Sequence, residues 1–289
     1  VRKLGTRARV ASLMAGAWVL LGAACSANQE SSGTPPAASA APGAATAQSQ
    51  LSGSPRHGEW VMVSTGPGDS VRAWLVYPER KGKAPVVVVV HEIFGLSNWV
   101  RSVADQLAAD GFIAIAPDLL TKFNVPNTPD GEPNPDSARA RIATIRPEQY
   151  QPQIRKVAEF AMSLPAATKK YGVVGYCWGG GAVFAHAVRF PDVNAVVSYY
   201  GTTPAPADYA SVKAPVLGLY GENDARVNAT IARADSAARQ YRFVYEPHIF
   251  PGAGHGFLRA QDGQNGANRA AAQQAWPLTV EWFRKYLGS

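Results

Sequence analysis

The stretch V173-V-G-Y-C-W-G-G-G-A-V-F-A-H-A-V188 runs an apolar segment into Gly175 and resumes with a helix-like pattern from Gly180. Between them a single cysteine, Cys177, sits among aromatics and glycines. G175-Y-C-W-G179 has the spacing glycine, any residue, nucleophile, any residue, glycine, with Cys in the nucleophile position of a strand-to-helix turn. Glycines there allow close backbone approach. The turn projects its central side chain above the C-terminal edge of a sheet, and the next helix aims its N-terminal N–H groups and dipole at the same place. That field favours thiolate over thiol. The alternative is a small buried cysteine in a glycine-rich turn.

The residues downstream favour chemistry. A nucleophile at such a turn takes its acid and base from loops after later strands. P215-V-L-G-L-Y220 is followed by G221-E-N-D224, and the run 241–246 by P251-G-A-G-H-G-F-L-R259. Cys177, Asp224 and His255 thus each lie beyond the C-terminal end of a predicted strand, and such positions converge on one side of an open sheet. His255 is placed to take the thiol proton and Asp224 to orient the imidazole, with Glu222 a weaker candidate for the acid. The other histidines read as structural: His186 packs inside a helix, His248 ends a strand, His57 precedes the folded part and His91 neighbours Glu92.

Working outward, W60-V-M-V-S64 and V71-R-A-W-L-V-Y77 read as strands joined by a G66-P-G-D69 turn. P85-V-V-V-V-V90 is apolar and β-branched throughout, which suits a strand buried on both faces of a parallel sheet. After H91-E-I-F-G95, residues 97–110 read as an amphipathic helix with Ser97 as N-cap and Gly111 as stop. Further strands are predicted at 112–116, 171–174 and 194–199. Helices are predicted at 150–164, 180–189, 229–238 and 272–286, the last kinked or broken at Pro277. Residues 121–147 form a polar, proline-rich excursion. The alternation predicts an α/β fold with a doubly wound, mostly parallel sheet and helices on both faces.

Residues 1–25 have the layout of an export signal: basic Arg2, Lys3, Arg7 and Arg9, an apolar run too short to span a membrane, then small residues ending at Cys25. G22-A-A-C25 resembles a lipoprotein signal in which Cys25 becomes lipidated; an ordinary cleaved signal is the other reading. Residues 26–57 are rich in Ala, Ser, Pro and Gly and read as a flexible tether, leaving residues 58–289 as one domain. The expectation is an exported, periplasmic or cell-envelope protein that meets the membrane only through this anchor. The formal charge is +7, but four of the 28 basic residues precede Cys25 with no acid among them. The rest is too mildly basic to imply a nucleic-acid partner. No Cys/His spacing suggests a metal, and no glycine-rich motif of dinucleotide type follows a strand. The two cysteines have separate explanations, so no structural disulfide is predicted.

Together H91-E-I-F-G95, A116-P-D-L119, G175-Y-C-W-G-G180, G221-E-N-D224 and G254-H-G-F257 resemble the dienelactone hydrolase family, over about residues 58–289. The resemblance implies an α/β-hydrolase fold and hydrolysis of a small-molecule ester or lactone, through a Cys177–His255–Asp224 triad and an acyl-thioester, with no metal or organic cofactor. It implies that Glu92 holds the resting thiol and helps deprotonate it, and that the backbone N–H groups of Ile93 and Trp178 form the oxyanion hole. It places two cationic residues on a substrate carboxylate, which fall here on Arg259 and Lys122. A lysine lacks the bidentate fork of arginine, so an uncharged ester or bulkier lactone stays open, as does simple surface charge at both positions. A non-catalytic envelope-binding lipoprotein on the same fold is the alternative function.

Overall fold

The computed structural model describes residues 40–288. The predicted signal, Cys25 and the first part of the predicted tether lie outside them. All seven residues of strand β3 (Ala84–Val90) are buried, and the strand sits centrally in an eight-stranded sheet. The others are β1 (Gly58–Gly66), β2 (Asp69–Val76), β4 (Ile113–Pro117), β5 (Ala167–Tyr176), β6 (Ala195–Tyr199), β7 (Val216–Asn223) and β8 (Tyr245–Gly254), in the order β1-β2-β4-β3-β5-β6-β7-β8. β2 runs antiparallel to β1 and β4, and the remaining pairs are parallel.

The helices are α1 (Ala47–Gly53), α2 (Asn98–Ala109), α3 (Pro135–Ile142), α4 (Pro147–Ser163), α5 (Trp178–Arg189), α6 (Ala225–Asn228), α7 (Ile231–Tyr241) and α8 (Ala267–Leu287). Val86, Val88 and Val90 join one core with residues of α4 and α5, while Val87 and Val89 join a second with residues of α2 and α8. Alternate side chains leave a strand on opposite faces, so an unbroken apolar run needs helices on both sides. Each buried valine contributes roughly 1.5–3 kcal/mol by leaving water.

Local signals set most boundaries. Ser97 Oγ accepts the Val100 N–H at 3.5 Å, and Gly111 follows α2 with φ of 102°. α8 runs unbroken through Pro277. The predicted strand at 241–246 is displaced. α7 continues to Tyr241, driven by its buried face of Ala234, Ala237 and Ala238, and Arg242 ends it in the left-handed region, so β8 starts only at Tyr245. The excursion folds back on the start of α2, where both Glu132 carboxylate oxygens accept the Asn98 N–H at 3.0 Å.

Residues 40–57 correct the tether expectation. Ala44–Thr46 forms a 3-10 turn and leads into α1. Trp99 Nε1 donates to the Pro42 carbonyl at 3.0 Å, Gln261 Nε2 to the Ala41 carbonyl at 3.1 Å, and the Ala44 N–H to the Arg259 carbonyl at 2.9 Å. Ser54 and Arg56 both bond to buried Asp105. Small residues cannot build a core alone, but they lie close against a preformed one whose polar groups need partners.

His186 is buried as expected. Its Nδ1–H donates to Gln151 Oε1 at 2.7 Å, and Nε2 faces the Tyr171 hydroxyl at 3.3 Å. Burial, then the charge of Arg155, push its pKa down to about 3. A histidine held neutral in the fold contributes stability that is complete above its unfolded value near 6.5 and is lost as pH falls toward about 3. Urea midpoints measured from pH 7 to pH 4 are therefore expected to fall less steeply in a His186→Gln variant than in the wild type. Equal slopes would show that His186 does not contribute.

Candidate active site

Each side chain expected to act in the chemistry stands just past the C-terminal end of a parallel strand. Glu92 follows β3, Cys177 follows β5, Asp224 follows β7 and His255 follows β8. Parallel pairing forces those ends onto one edge of the sheet.

Cys177 occupies φ 54° and ψ −114° between β5 and α5. A non-glycine residue there carries strain of about 1–3 kcal/mol, a cost that concentrates at functional sites. The flanking glycines are sterically required. A Cβ on Gly175 would lie 2.1 Å from the Gly179 carbonyl oxygen, and one on Gly179 would lie 2.4 Å from that of His91. The second approach brings the H91-E-I-F-G95 loop against the turn. α5 starts at Trp178, two residues earlier than predicted, so its N-terminus abuts the thiol directly.

His255 Nδ1 lies 2.5 Å from Asp224 Oδ2. Asp224 is buried and also caps α6, accepting the Val227 N–H at 3.4 Å. Glu222 instead accepts the Gly252 N–H at 2.8 Å, which removes it as the partner of the imidazole. The ring of Tyr200 packs 5.1 Å from that of His255, edge to face.

Glu92 is buried, with Oε2 accepting from Arg259 Nε at 3.0 Å and Oε1 without a hydrogen-bond partner among the described residues. Burial raises its pKa, against the opposing charges of Arg259 and His255. His91 holds this loop from behind. Its Nε2 accepts the Leu119 N–H at 3.2 Å, so the proton lies on Nδ1 and is donated to the Glu92 carbonyl at 2.7 Å. Arg259 also lies over the Phe94 ring, 5.0 Å from its centroid.

At the thiol the two expectations, a thiolate favoured by the helix terminus and a resting thiol implied by the resemblance, diverge. Burial, and next the negative charge of Glu92, raise the Cys177 pKa to about 11, outweighing the Trp178 N–H and the charge of Arg226. At rest the side chain is a thiol, because the cost of placing an anion in a buried site beside a carboxylate exceeds what the helix terminus returns.

Beside the sulfur lies a cavity of about 480 Å³, whose lining includes Ile93, Tyr150, Trp178, Tyr200, Thr203 and Arg226. Ile93 and Trp178 line this cavity together with Cys177. Lys122 is not part of this cavity. It lies in a 3-10 turn after β4 and pairs with Asp69 at 2.5 Å, at the start of β2, lining a separate depression. Tyr200 and Arg226 escaped the sequence reading. Tyr200 follows β6 directly with φ 39°, buried, its hydroxyl unpartnered among the described residues. That position after a strand was the available signal. Among the described residues no group of His, Cys, Asp and Glu is arranged to hold a metal, and no helix is long and apolar enough to cross a membrane.

The family model of the dienelactone hydrolases matches residues 71–287. A Salmonella typhimurium protein named "Putative carboxymethylenebutenolidase" is 31% identical over 233 residues, covering 76% of this chain and 85% of that one. A solved dienelactone hydrolase from Anabaena variabilis superposes with a TM-score of 0.60 at 28% identity, covering 80% of this chain and 99% of that chain. The acylaminoacyl peptidase of Pyrococcus horikoshii, at 16% identity and TM-score 0.60, covers 81% of this chain and 42% of that one, and shares the fold alone. The eight-stranded, mostly parallel sheet is that of the α/β-hydrolases. The match across 71–287 takes in Glu92, Cys177, Asp224 and His255 alike, and on it this chain belongs to the dienelactone hydrolase family.

Proposed function

We propose that the protein cleaves carboxylic esters or lactones with Cys177 as nucleophile. The observation that carries this reading is the strained backbone of Cys177 at the head of α5, beside a buried glutamate and on the same sheet edge as a histidine bonded to an aspartate. A core cysteine needs none of these features, and a binding module on this fold would have no use for all four side chains.

Substrate enters with its carbonyl over the sulfur. Glu92, raised in pKa and with an Oε1 unpartnered among the described residues, takes the thiol proton with help from His255. The thiolate attacks the carbonyl carbon. The oxyanion accepts from the N–H groups of Ile93 and Trp178, one from the early loop and one just after the nucleophile. Collapse expels the alkoxide, which takes back from Glu92 and His255 the proton removed from the thiol, and leaves an acyl-thioester. His255, oriented by Asp224, then draws a proton from water, whose oxygen attacks the thioester carbonyl and releases the acid and the thiol. No metal or organic cofactor takes part. We further propose that the chain is exported and anchored through Cys25, a reading that rests on residues 1–25 of the sequence.

The test is turnover of p-nitrophenyl acetate and of a simple enol lactone with and without iodoacetamide. Activity is expected to vanish in step with alkylation of Cys177, followed by mass spectrometry. Full activity after stoichiometric alkylation would sink the assignment, and absence of turnover on both substrates would favour the binding-protein alternative.

A further inference from the structure

The opposite edge of the sheet, where the parallel strands start, is strongly basic. Parallel pairing sets Ala84 level with Ala167, Val196 with Val216, and Val216 with Tyr245, so the starts of β3, β5, β7 and β8 lie along one line. Lys81 and Lys83 precede β3, Lys169 and Lys170 lie near the start of β5, and Lys213 precedes β7. Lys285 joins them from the last turn of α8, where Lys170 Nζ donates to the Tyr286 carbonyl at 3.4 Å. These six lysines are all exposed, and none has an ion-pair partner among the described residues. The other lysines past residue 40, Lys122 and Lys156, are paired with Asp69 and Glu159. Exposed Arg242, at the end of α7, extends the row to β8 between Tyr241 and Val244, two large apolar side chains that are also exposed. Of the acids near this edge whose side chains are described, Glu79, Asp192, Asp235 and Glu246 face Arg56, Arg155, Arg239 and His248. Glu281, exposed one turn from Lys285, offsets part of its charge.

We propose that this edge docks the folded domain on a membrane surface of anionic phospholipid, with the Cys177 edge turned outward. Strands in a sheet are about 4.8 Å apart, so the row from β3 to β8 spans roughly 20 Å. Charge spread over that distance matches a plane of headgroups, whereas a single small anion needs its donors gathered in one pocket. The charge is carried mainly by lysines, compact cations on flexible stems that settle on phosphates from many positions. Tyr241 and Val244 supply the apolar contact that the interfacial layer accepts. Each lysine held near an anionic leaflet strengthens binding about fivefold, and the field falls off within about 8–10 Å at physiological salt. The domain thus adds a membrane contact of its own to the one expected from residues 1–25. It keeps the cavity beside Cys177 open to solvent, and it does not depend on what reaction the thiol performs.

Lysine acetylation of the full chain, mapped residue by residue by mass spectrometry, tests it. Phosphatidylglycerol vesicles are expected to slow acetylation of the six edge lysines about fivefold or more and to leave Lys122 and Lys156 within about twofold of their rates in solution. Because the readout is site by site, binding through residues 1–25 alone does not imitate it. Phosphatidylcholine vesicles should protect none of them, nor should phosphatidylglycerol vesicles in salt of about 1 M, where the screening length is about 3 Å. Iodoacetamide should label Cys177 at the same rate with and without vesicles. In Lys169→Gln/Lys170→Gln the vesicle concentration that half-protects the other edge lysines should rise about tenfold or more, whereas Lys122→Gln should leave it unchanged. Protection that is absent, or spread evenly over all the mapped lysines, overturns the proposal, as does an unshifted concentration in the double variant. Equal protection by duplex DNA at the same phosphate concentration would make the partner a nucleic acid and overturn the lipid assignment. Slower labelling of Cys177 on vesicles would overturn the orientation.

Discussion

Cys177→Ala is expected to lower kcat on p-nitrophenyl acetate by a factor on the order of 10⁴–10⁶, since nucleophile, base and orienting acid act as a unit and the residue left behind cannot form an acyl intermediate. The fold should survive, because alanine fills the same strained backbone with fewer atoms. Cys177→Gly provides the complementary measurement. Glycine adopts φ of 54° without a Cβ penalty, so the glycine variant should be about 1 kcal/mol more stable than the alanine variant, reversing their usual order. Urea denaturation reads this difference directly. An alanine variant within about tenfold of wild-type turnover would remove the thiol from the chemistry. A glycine variant less stable than the alanine one would mean that the turn carries no strain.

Glu92→Gln should move two observables in opposite directions. The carboxylate is the second-largest cause of the high thiol pKa, and its negative charge opposes a thiolate. Glutamine removes that charge while Arg259 stays positive beside the site. The thiol pKa should therefore drop from about 11, and at pH 8 each unit of that drop raises the thiolate fraction about tenfold. Iodoacetamide should label Cys177 faster in the variant. Ester hydrolysis should instead fall, by roughly 10²–10⁴ if Glu92 is the proton acceptor, because glutamine cannot take the proton. Slower labelling together with slower hydrolysis would mean that Glu92 only braces its loop against Arg259. Faster labelling with unchanged hydrolysis would assign the whole of proton removal to His255.

The resting thiol gives this pair of results a purpose. A permanently ionised cysteine would be open to oxidation, whereas one held near pKa 11 is protected while it stays a thiol. On the proposed mechanism, protection and activation use the same carboxylate, paired at one oxygen with Arg259 and unpartnered among the described residues at the other.

How much of this was legible in the sequence differs from residue to residue. The β-branched run P85-V-V-V-V-V90 and the alternation of strands with helices predict the sheet correctly, because a strand buried on both faces reads as a continuous apolar run. G175-Y-C-W-G179 is readable because steric contacts as short as 2.1 Å exclude every residue but glycine at its ends. Asp224 and His255 are readable through their positions just past strands, since chain direction alone puts those ends on one edge. The end of α7 was misplaced, because aromatic residues near 241–246 resemble a strand while the buried alanine face that extends the helix is weak in sequence.

Charge partnership was decided by the tertiary structure alone. Glu92 meets Arg259 across 167 positions of sequence, and Lys122 finds Asp69 rather than the thiol. An ion pair forms wherever folding brings opposite charges into contact, and local spacing carries no record of that. The same holds for residues 40–57, whose composition rules out a core of their own but not docking on Trp99, Asp105 and Gln261. It holds also for the sign of the Cys177 shift: the helix terminus is written in the local sequence, while the burial and the carboxylate that outweigh it come from the assembled sheet edge. The chain's own order therefore determined which residues reach the site, and the packing of distant segments determined their protonation and their partners.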